Sequence, residues 1–414
     1  MKFLICNFMN SNFDFCIVGG GMVGLSIAYQ LIERNISASI VLIDKEKELG
    51  MHSSGLNSGV LHAGLYYEPK SLKANVCVSG AKRLKEWVKE RNLPINECGK
   101  IIVPQDEHLD KQLDLLYQRG IKNGAVVEIW DEKQLKDKLP LARSSSGRAL
   151  WSPNTSVVKP KIVLKQLEKE LRQKKVVFRL NQKNWQIKPN KRELYLDNDE
   201  VISYSHFINC SGLRADEVAG KFDLADNFTL IPFKGIYWEI KNRLQFNIDT
   251  NLYPVPDLNV PFLGVHFTPS ADQFPKINIG PTATLALGRE NYFSLKNLEP
   301  ISSARNLLTL ANQYLNDKDG FRKYVHEQSL LFIKPLMIKS AKKLIPSIKS
   351  DDLRISTKVG IRPQLFNKTT QKLENDFLSV EGDSSTHVLN AISPAFTASF
   401  SLADFIINKH KENF

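Results

Sequence analysis

Residues 13–44 constrain this chain more than any other stretch. Phe13-Asp14-Phe15-Cys16-Ile17-Val18 is a short apolar run of strand type, and it leads into Gly19-Gly20-Gly21-Met22-Val23-Gly24. Leu25, Ile27, Ala28, Leu31 and Ile32 then follow a helical pattern. A second strand-like run, Ser39-Ile40-Val41-Leu42-Ile43, ends on Asp44. A strand, a glycine turn, a helix and a strand closed by an acid twenty residues past the last glycine describe a dinucleotide-binding unit. Gly19 permits the tight turn, Gly21 lets a pyrophosphate approach the backbone, and Gly24 lets the helix pack on the strand. The helix N-terminus offers N–H groups and partial positive charge to phosphates. Asp44 can accept hydrogen bonds from both ribose hydroxyls and would repel a 2′-phosphate. The spacing alone serves FAD and NAD equally.

At 414 residues the chain exceeds the roughly 250–300 that one core serves, so two domains are expected. No apolar run approaches the ~20 residues that cross a bilayer. The apolar N-terminus, Met1 to Phe8, is too short for a signal peptide and lacks a small-residue cleavage site. It reads as a short extension, with Met9 an alternative start. Cys6, Cys16, Cys77, Cys98 and Cys210 are scattered, odd in number and without a C-x-x-C, which points to reduced thiols in a cytoplasmic setting and to no disulfide frame or zinc site. The net charge of +12 suits a solvated basic face, or contact with an anionic membrane. The lysines are dispersed and no nucleic-acid motif is present.

Residues 50–70 read as an irregular loop, 71–92 as a helix capped by Ser71, 100–104 as a strand, and 108–124 and 160–175 as helices. Strands follow at 176–178 and at 204–210, the latter running into the Ser211-Gly212 turn. Between 226 and 300, short alternating runs (235–240, 262–267 and 276–280) separated by Pro and Gly predict an antiparallel sheet. The last helix is expected to start at Ser393-Pro394, with Ser393 as N-cap and Pro394 as first helical residue. The fold class is therefore α/β with an α+β second domain: a Rossmann-like domain interrupted by an antiparallel-sheet substrate domain. Residues 13–95, 154–225 and 346–414 are assigned to the first, and 96–153 and 226–345 to the second.

Further motifs accompany this pattern. They are His52-Ser53-Ser54-Gly55-Leu56-Asn57-Ser58-Gly59-Val60-Leu61-His62-Ala63-Gly64-Leu65-Tyr66-Tyr67, Ser71-Leu72-Lys73-Ala74, Cys98-Gly99-Lys100 and Ile231-Pro232-Phe233-Lys234-Gly235. Leu252 to Asp257, Pro261 to Thr268, Ile279-Gly280-Pro281, Arg289-Glu290, Gly360 to Gln364 and Asn390 to Ala395 complete the set. From about Asp14 to about Phe405 the chain resembles the D-amino-acid-oxidase-like FAD oxidoreductases, and within them the L-2-hydroxyglutarate dehydrogenase/oxidase family. It departs from that pattern at Leu56, where a histidine is expected, and at Lys234, where an arginine is expected. It also departs at Asn184, in place of a small apolar residue, and at the bulky Phe396.

The resemblance implies FAD as cofactor. Gly19, Gly21, Gly24 and Asp44 would hold its pyrophosphate and adenosine half, and Ser211-Gly212 would pass near the adenosine. Asn57, Ser58 and Gly59 would run along the flavin, with Gly360 nearby, and the helix after Ser393-Pro394 would point its N-terminus at the flavin's pyrimidine edge. Oxidising a 2-hydroxy acid requires a base for the hydroxyl proton, and histidine suits neutral pH. His62 beside the ring and His266 in the sheet are the candidates, either one as base with the other binding or polarising the substrate. Arg362 would clamp a carboxylate, Lys234 and Arg289 would hold a second one, and Tyr253 and Tyr66 would donate hydroxyl bonds. The expected reaction is L-2-hydroxyglutarate to 2-oxoglutarate by hydride transfer to flavin N5, with a membrane quinone or oxygen as acceptor. The alternatives are a relative acting on glycerol 3-phosphate or on an amino acid or secondary amine, and a flavin-bound assembly protein without turnover.

Overall fold

The computed structural model describes residues 10–34, 37–241, 245–256, 263–272, 276–293 and 295–409. The N-terminal extension, Met9, Asp257, Pro261 and Phe262 lie outside them. The elements that position the site begin with β1 (Asn10–Val18), α1 (Met22–Glu33), β2 (Ile40–Ile43), α2 (Leu72–Glu90), β3 (Lys100–Val103), α3 (Pro160–Gln173), β4 (Val177–Arg179) and β5 (Val201–Asn209). They continue with β6 (Phe228–Ile240), β7 (Asn251–Pro254), α4 (Pro300–Leu315), β8 (Leu353–Asn367), β9 (Ser385–Asn390) and α5 (Ala395–Lys409).

One sheet is the dinucleotide-binding layer. β5, β1, β2 and β4 run parallel, and β9 joins the far half of β5 in parallel. Val41 and Ile43 point to one face of this sheet and Ile40 and Leu42 to the other, the period of two that a strand imposes. Both faces are covered: Ile40 and Leu42 lie with α1, α2, α3 and α5 in the main core, Val41 and Ile43 with Cys16 and Phe207 in a second cluster. That double coverage is why these strands read as uninterrupted apolar runs rather than alternating ones.

The second sheet follows the order β8, β6, Ile277–Ile279, Phe267–Pro269, β7, β3, Ala149–Ser152, Glu128–Trp130. It is antiparallel except where β7 runs parallel to β3. The expected antiparallel character thus has one exception, at the join between its early and late segments. A larger departure concerns β8. Residues 353–367 were expected in the third dinucleotide-domain segment, yet β8 pairs along β6 from Ile240↔Leu353 to Phe228↔Asn367. The change of layer therefore comes after Leu373, not at 346. Proline and glycine in 360–363 hid the strand.

Local signals otherwise explain the element ends. Ser71 Oγ accepts the Ala74 N–H at 3.1 Å and caps α2. α5 starts one residue later than expected: the Pro394 carbonyl accepts the Ala398 N–H, so Pro394 takes the capping position foreseen for Ser393. Cys16, Cys77, Cys98 and Cys210 are free thiols. Among the described residues no helix is long and apolar enough to cross a membrane.

Candidate active site

The glycine turn is built by backbone contact. Gly19 has φ +110°, and a Cβ there would lie 2.2 Å from the Cys210 carbonyl oxygen. A Cβ on Gly24 would lie 2.1 Å from the Gly19 carbonyl oxygen, so the first turn of α1 rests directly on the loop. Gly21 differs: its backbone is extended, and a Cβ would meet only Ser54 Oγ. Ser54 Oγ accepts the Met22 N–H at 2.9 Å. Asp44 braces the turn, Oδ2 accepting the Gly20 N–H at 2.8 Å and Oδ1 the Glu46 N–H at 2.9 Å. Burial raises its pKa, against the lowering effect of those two bonds. Ser211 Oγ donates to Asn209 Oδ1 at 2.6 Å, and Gly212 opens a short helical turn beside Gly19.

A cavity of about 470 Å³ opens from this turn into the space between the two sheets. Met22 and Val23 line it at the turn, Asn57 and Ser58 along one wall, and Ser393, Pro394 and Ala395 at the N-terminus of α5. His62, Tyr66, Lys73, Tyr253, His266, Gly360 and Arg362 line the inner part. Asn57 shapes its own loop: Nδ2 donates to the Ser54 carbonyl at 2.7 Å and Oδ1 accepts the Gly59 N–H at 2.8 Å. The hydroxyl of Thr397 ties α5 to the His62 segment. It donates to the Val60 carbonyl and accepts the His62 N–H. Gly360 approaches the Leu56 carbonyl so closely that a Cβ would come within 3.0 Å.

Two imidazoles, a lysine and two tyrosines form the inner wall. His266 Nδ1 lies 2.8 Å from the Gly264 carbonyl; a carbonyl only accepts, so Nδ1 carries the hydrogen and Nε2 a lone pair. The His266 ring stacks on Tyr253 with centroids 3.9 Å apart. Burial pulls the His266 pKa down to about 3, against the raising effect of the Gly264 bond. His62 is likewise held well below the usual histidine range by burial, then by Lys100, His266 and Arg362. Both rings are therefore neutral at pH 7. Behind His62, Lys100 is wholly buried, and its amine sits 3.5 Å from His62 Nδ1 and 4.3 Å from the centre of the Tyr253 ring. Tyr66 Oη is buried without a hydrogen-bond partner among the described residues.

Arg362 and Lys73 bring positive charge to the cavity. The Lys73 amine lies between the rings of Tyr67 and Phe377, and burial lowers its pKa to about 8. Asp376 turns its oxygens to the Leu72 and Lys73 N–H groups instead, at 2.7 and 2.9 Å. Two sequence-expected cations stand elsewhere. Arg289 is buried against Asp216, at 2.5 and 2.8 Å, and donates to the Leu213 carbonyl, so its guanidinium is committed to structure and does not line the cavity. Lys234 Nζ donates to Asn291 Oδ1 at 2.8 Å and does not line it either. Sequence reasoning gave no role to Lys73 or Lys100, though each left a signal. Lys73 is a cation in the first turn of a helix, where the dipole disfavours it; Lys100 is a charge in the apolar strand Lys-Ile-Ile-Val.

The arrangement fits a flavin dinucleotide. The cradle at Gly21 has no side chain, two helix N-termini bound the cavity, and neutral imidazoles stand at its inner end. Comparison with known proteins agrees. The family model described as FAD dependent oxidoreductase matches residues 14–406. The mitochondrial L-2-hydroxyglutarate dehydrogenase of Nematostella vectensis is 33% identical over 432 residues, covering 98% of this chain and 92% of its own. The L-2-hydroxyglutarate dehydrogenase of Indibacter alkaliphilus is 33% identical over 398 residues, covering 94% and 97%. Among solved structures, dithionite-reduced L-alpha-glycerophosphate oxidase from Mycoplasma pneumoniae with FAD bound superposes with a TM-score of 0.74 at 22% identity, covering 96% of this chain and 94% of that one.

Proposed function

Because the chain belongs to the FAD dependent oxidoreductase family, we propose that it oxidises L-2-hydroxyglutarate to 2-oxoglutarate. FAD, when bound, supplies the acceptor for the hydride at flavin N5. The observation that carries the reading is one cavity holding two neutral imidazoles and two cations, Arg362 and Lys73. The relatives named above support the same substrate.

Each residue has a role that its surroundings favour. Arg362 clamps the carboxylate next to the hydroxyl-bearing carbon, and Lys73 takes the distal carboxylate in place of Lys234 and Arg289. His62 accepts the hydroxyl proton. His266 Nδ1 is already committed to the Gly264 carbonyl, whereas His62 has an amine behind it that can take a proton from Nδ1. His266 Nε2 orients the substrate hydroxyl as an acceptor. Tyr66 and Tyr253 bound the pocket and exclude water. Gly21 brings backbone up to the pyrophosphate on a turn that Gly19 and Gly24 close by packing, while Asp44 and the Ser211-Gly212 turn border the adenosine. Gly59 and Gly360 keep the loop along the flavin thin, and α5, after Ser393-Pro394, turns its N-terminus toward the flavin ring.

The cavity disfavours amines. Among the described residues its acids are engaged, Glu68 with Arg119 and Asp376 with the first N–H groups of α2, so an ammonium group meets cations instead of a free carboxylate there. Turnover with an artificial acceptor, measured on FAD-loaded protein across 2-hydroxy acids, glycerol 3-phosphate and 2-amino acids, tests the reading. L-2-hydroxyglutarate gives the largest kcat/KM; a preference for the phosphate ester or an amino acid refutes it.

For the electron acceptor, a membrane quinone is the reading that α4 supports. Ile301, Leu308 and Leu315 recur at seven-residue spacing and are 79, 74 and 73% exposed, whereas the buried residues of this helix are Ser303, Asn306 and Gln313. Residues 295–343 carry nine Lys and Arg against four acids. An outward apolar stripe amid basic charge suits the surface of an anionic membrane on its cytoplasmic face. Sedimentation with anionic vesicles at low salt is the expected result. Protein left in the supernatant, or Ile301→Glu and Leu308→Glu without effect on sedimentation, contradicts it.

A further inference from the structure

We propose that Lys100 is a positioning residue for the oxidation. Held as a neutral amine behind His62, it accepts the hydrogen that the ring carries on Nδ1, which leaves Nε2 free to take the substrate's hydroxyl proton, and it takes up the Nδ1 proton in turn. The inference rests on the reading of His62 as the base.

The geometry begins with β3. Lys100 and Ile102 share one face of this strand, the face turned toward Tyr66 and Tyr253. The amine is enclosed on every side. His62 Nδ1 faces it at 3.5 Å, the Tyr66 and Tyr253 rings lie at 5.1 and 4.3 Å, Cys77 on α2 and Cys98 just before β3 are the nearby thiols, and His266 and Arg362 lie beyond. Among the described residues no carboxylate contributes. A buried ammonium without an anionic partner is costly, and burial lowers the Lys100 pKa to about 7.

Hydrogen-bond chemistry then limits what the ring can do. An ammonium has three donors and no lone pair. Facing it, His62 Nδ1 must be the acceptor, so Nε2 carries the hydrogen and cannot take a proton from substrate. A neutral amine keeps donors but gains a lone pair, so Nδ1–H can donate to Nζ, and the tautomer with a basic Nε2, closed to the ring beside an ammonium, becomes available. During turnover the hydroxyl proton moves to Nε2 and the Nδ1 proton moves to Nζ, while bound FAD would accept the hydride from the same carbon. One proton and one hydride are lost and a carbonyl forms, so atoms and electrons balance. Lys100 thus stands where many histidine bases have a carboxylate, with an uncharged resting state that suits a cavity built for a dianion.

The test compares Lys100→Met and Lys100→Arg in FAD-loaded protein. Wild-type kcat rises with pH through an acid limb near 7, where Lys100 loses its proton. Lys100→Met lowers kcat by ~10- to 100-fold, loses that limb and leaves KM within about threefold. Lys100→Arg is permanently cationic, enforces the inactive tautomer and is no more active than Lys100→Met. If positive charge or bulk were what mattered, arginine would rescue; kcat for Lys100→Arg within threefold of wild type, or an unchanged acid limb in Lys100→Met, overturns the proposal. Nitrogen-15 NMR of histidine-labelled wild type, with His62→Gln to assign the signal, covers the case in which neither variant folds. Above pH 7 the hydrogen is expected on His62 Nδ1; finding it on Nε2 refutes the proposal. This readout needs no substrate, so it is separable from a failure of wild type to oxidise L-2-hydroxyglutarate, which would strike the functional reading instead.

Discussion

Gly21→Ala and Gly24→Ala change one atom each, three residues apart, and should fail in different ways. At Gly24 the added Cβ starts 2.1 Å from the Gly19 carbonyl oxygen and 3.3 Å from Cys210 Cβ. The first contact must open by more than an ångström, and both sides are backbone held by β1 and α1. Overpacking of this kind costs about 1–3 kcal/mol or more, against a helix-propensity gain of ~1 kcal/mol from replacing glycine. A net loss of up to about 2 kcal/mol is expected before any cofactor binds. At Gly21 the Cβ meets only Ser54 Oγ, at 2.9 Å, and the extended backbone tolerates alanine. The cap position costs under ~1 kcal/mol, but the methyl stands where the pyrophosphate meets the backbone. Losing one charge-assisted contact costs ~1.5–3 kcal/mol, or about 10- to 100-fold in FAD affinity. Thermal melts of apoprotein and fluorescence titration with FAD separate the two. Gly24→Ala lowers the apo Tm by several degrees; Gly21→Ala leaves it within about two degrees and weakens FAD binding at least tenfold. Gly21→Ala with wild-type FAD affinity, or with an apo Tm as low as that of Gly24→Ala, refutes the assignment of the two glycines.

Other substitutions divide structure from chemistry. Arg289→Ala leaves buried Asp216 without its partner and costs ~3–5 kcal/mol, read by denaturant unfolding, with KM for substrate unchanged in whatever protein stays folded. Lys73→Met and Arg362→Met each raise KM by about 10- to 100-fold, while Lys234→Met changes it less than threefold, as initial rates will show. The Lys100 amine is less protonated in the folded than in the unfolded chain between its folded pKa of about 7 and its ordinary 10.5. Stability contributed at this site therefore rises with pH across that window, by on the order of 1 kcal/mol per unit. Unfolding midpoints at pH 7 and 9 will show a smaller rise for Lys100→Met than for wild type.

What the sequence made legible follows the range of the forces involved. The glycine turn, α1 and the Ser71 cap are local, and local chemistry writes them into neighbouring residues. His62, His266 and Arg362 could be nominated because each sits in a distinctive motif, and the fold gathers them into one cavity. Arg289 and Lys234 could not be judged that way. Whether a cation meets a ligand or a neighbour is settled by Asp216 and Asn291, which lie 73 and 57 residues distant in sequence. Lys73 and Lys100 were overlooked for the complementary reason: lysine is ordinarily a surface residue, and only the tertiary fold reveals an amine enclosed by aromatic rings. β8 was misplaced because its partner, β6, is more than a hundred residues upstream and its own proline and glycine disguise a strand.

The most direct measurement is the absorbance spectrum of FAD-loaded protein, followed anaerobically as L-2-hydroxyglutarate is added. The flavin bands are expected to bleach stoichiometrically, with 2-oxoglutarate formed in equal amount, and His62→Gln is expected to bind the acid but bleach far more slowly. A flavin that stays oxidised with L-2-hydroxyglutarate and bleaches with glycerol 3-phosphate or an amino acid would contradict the proposed function.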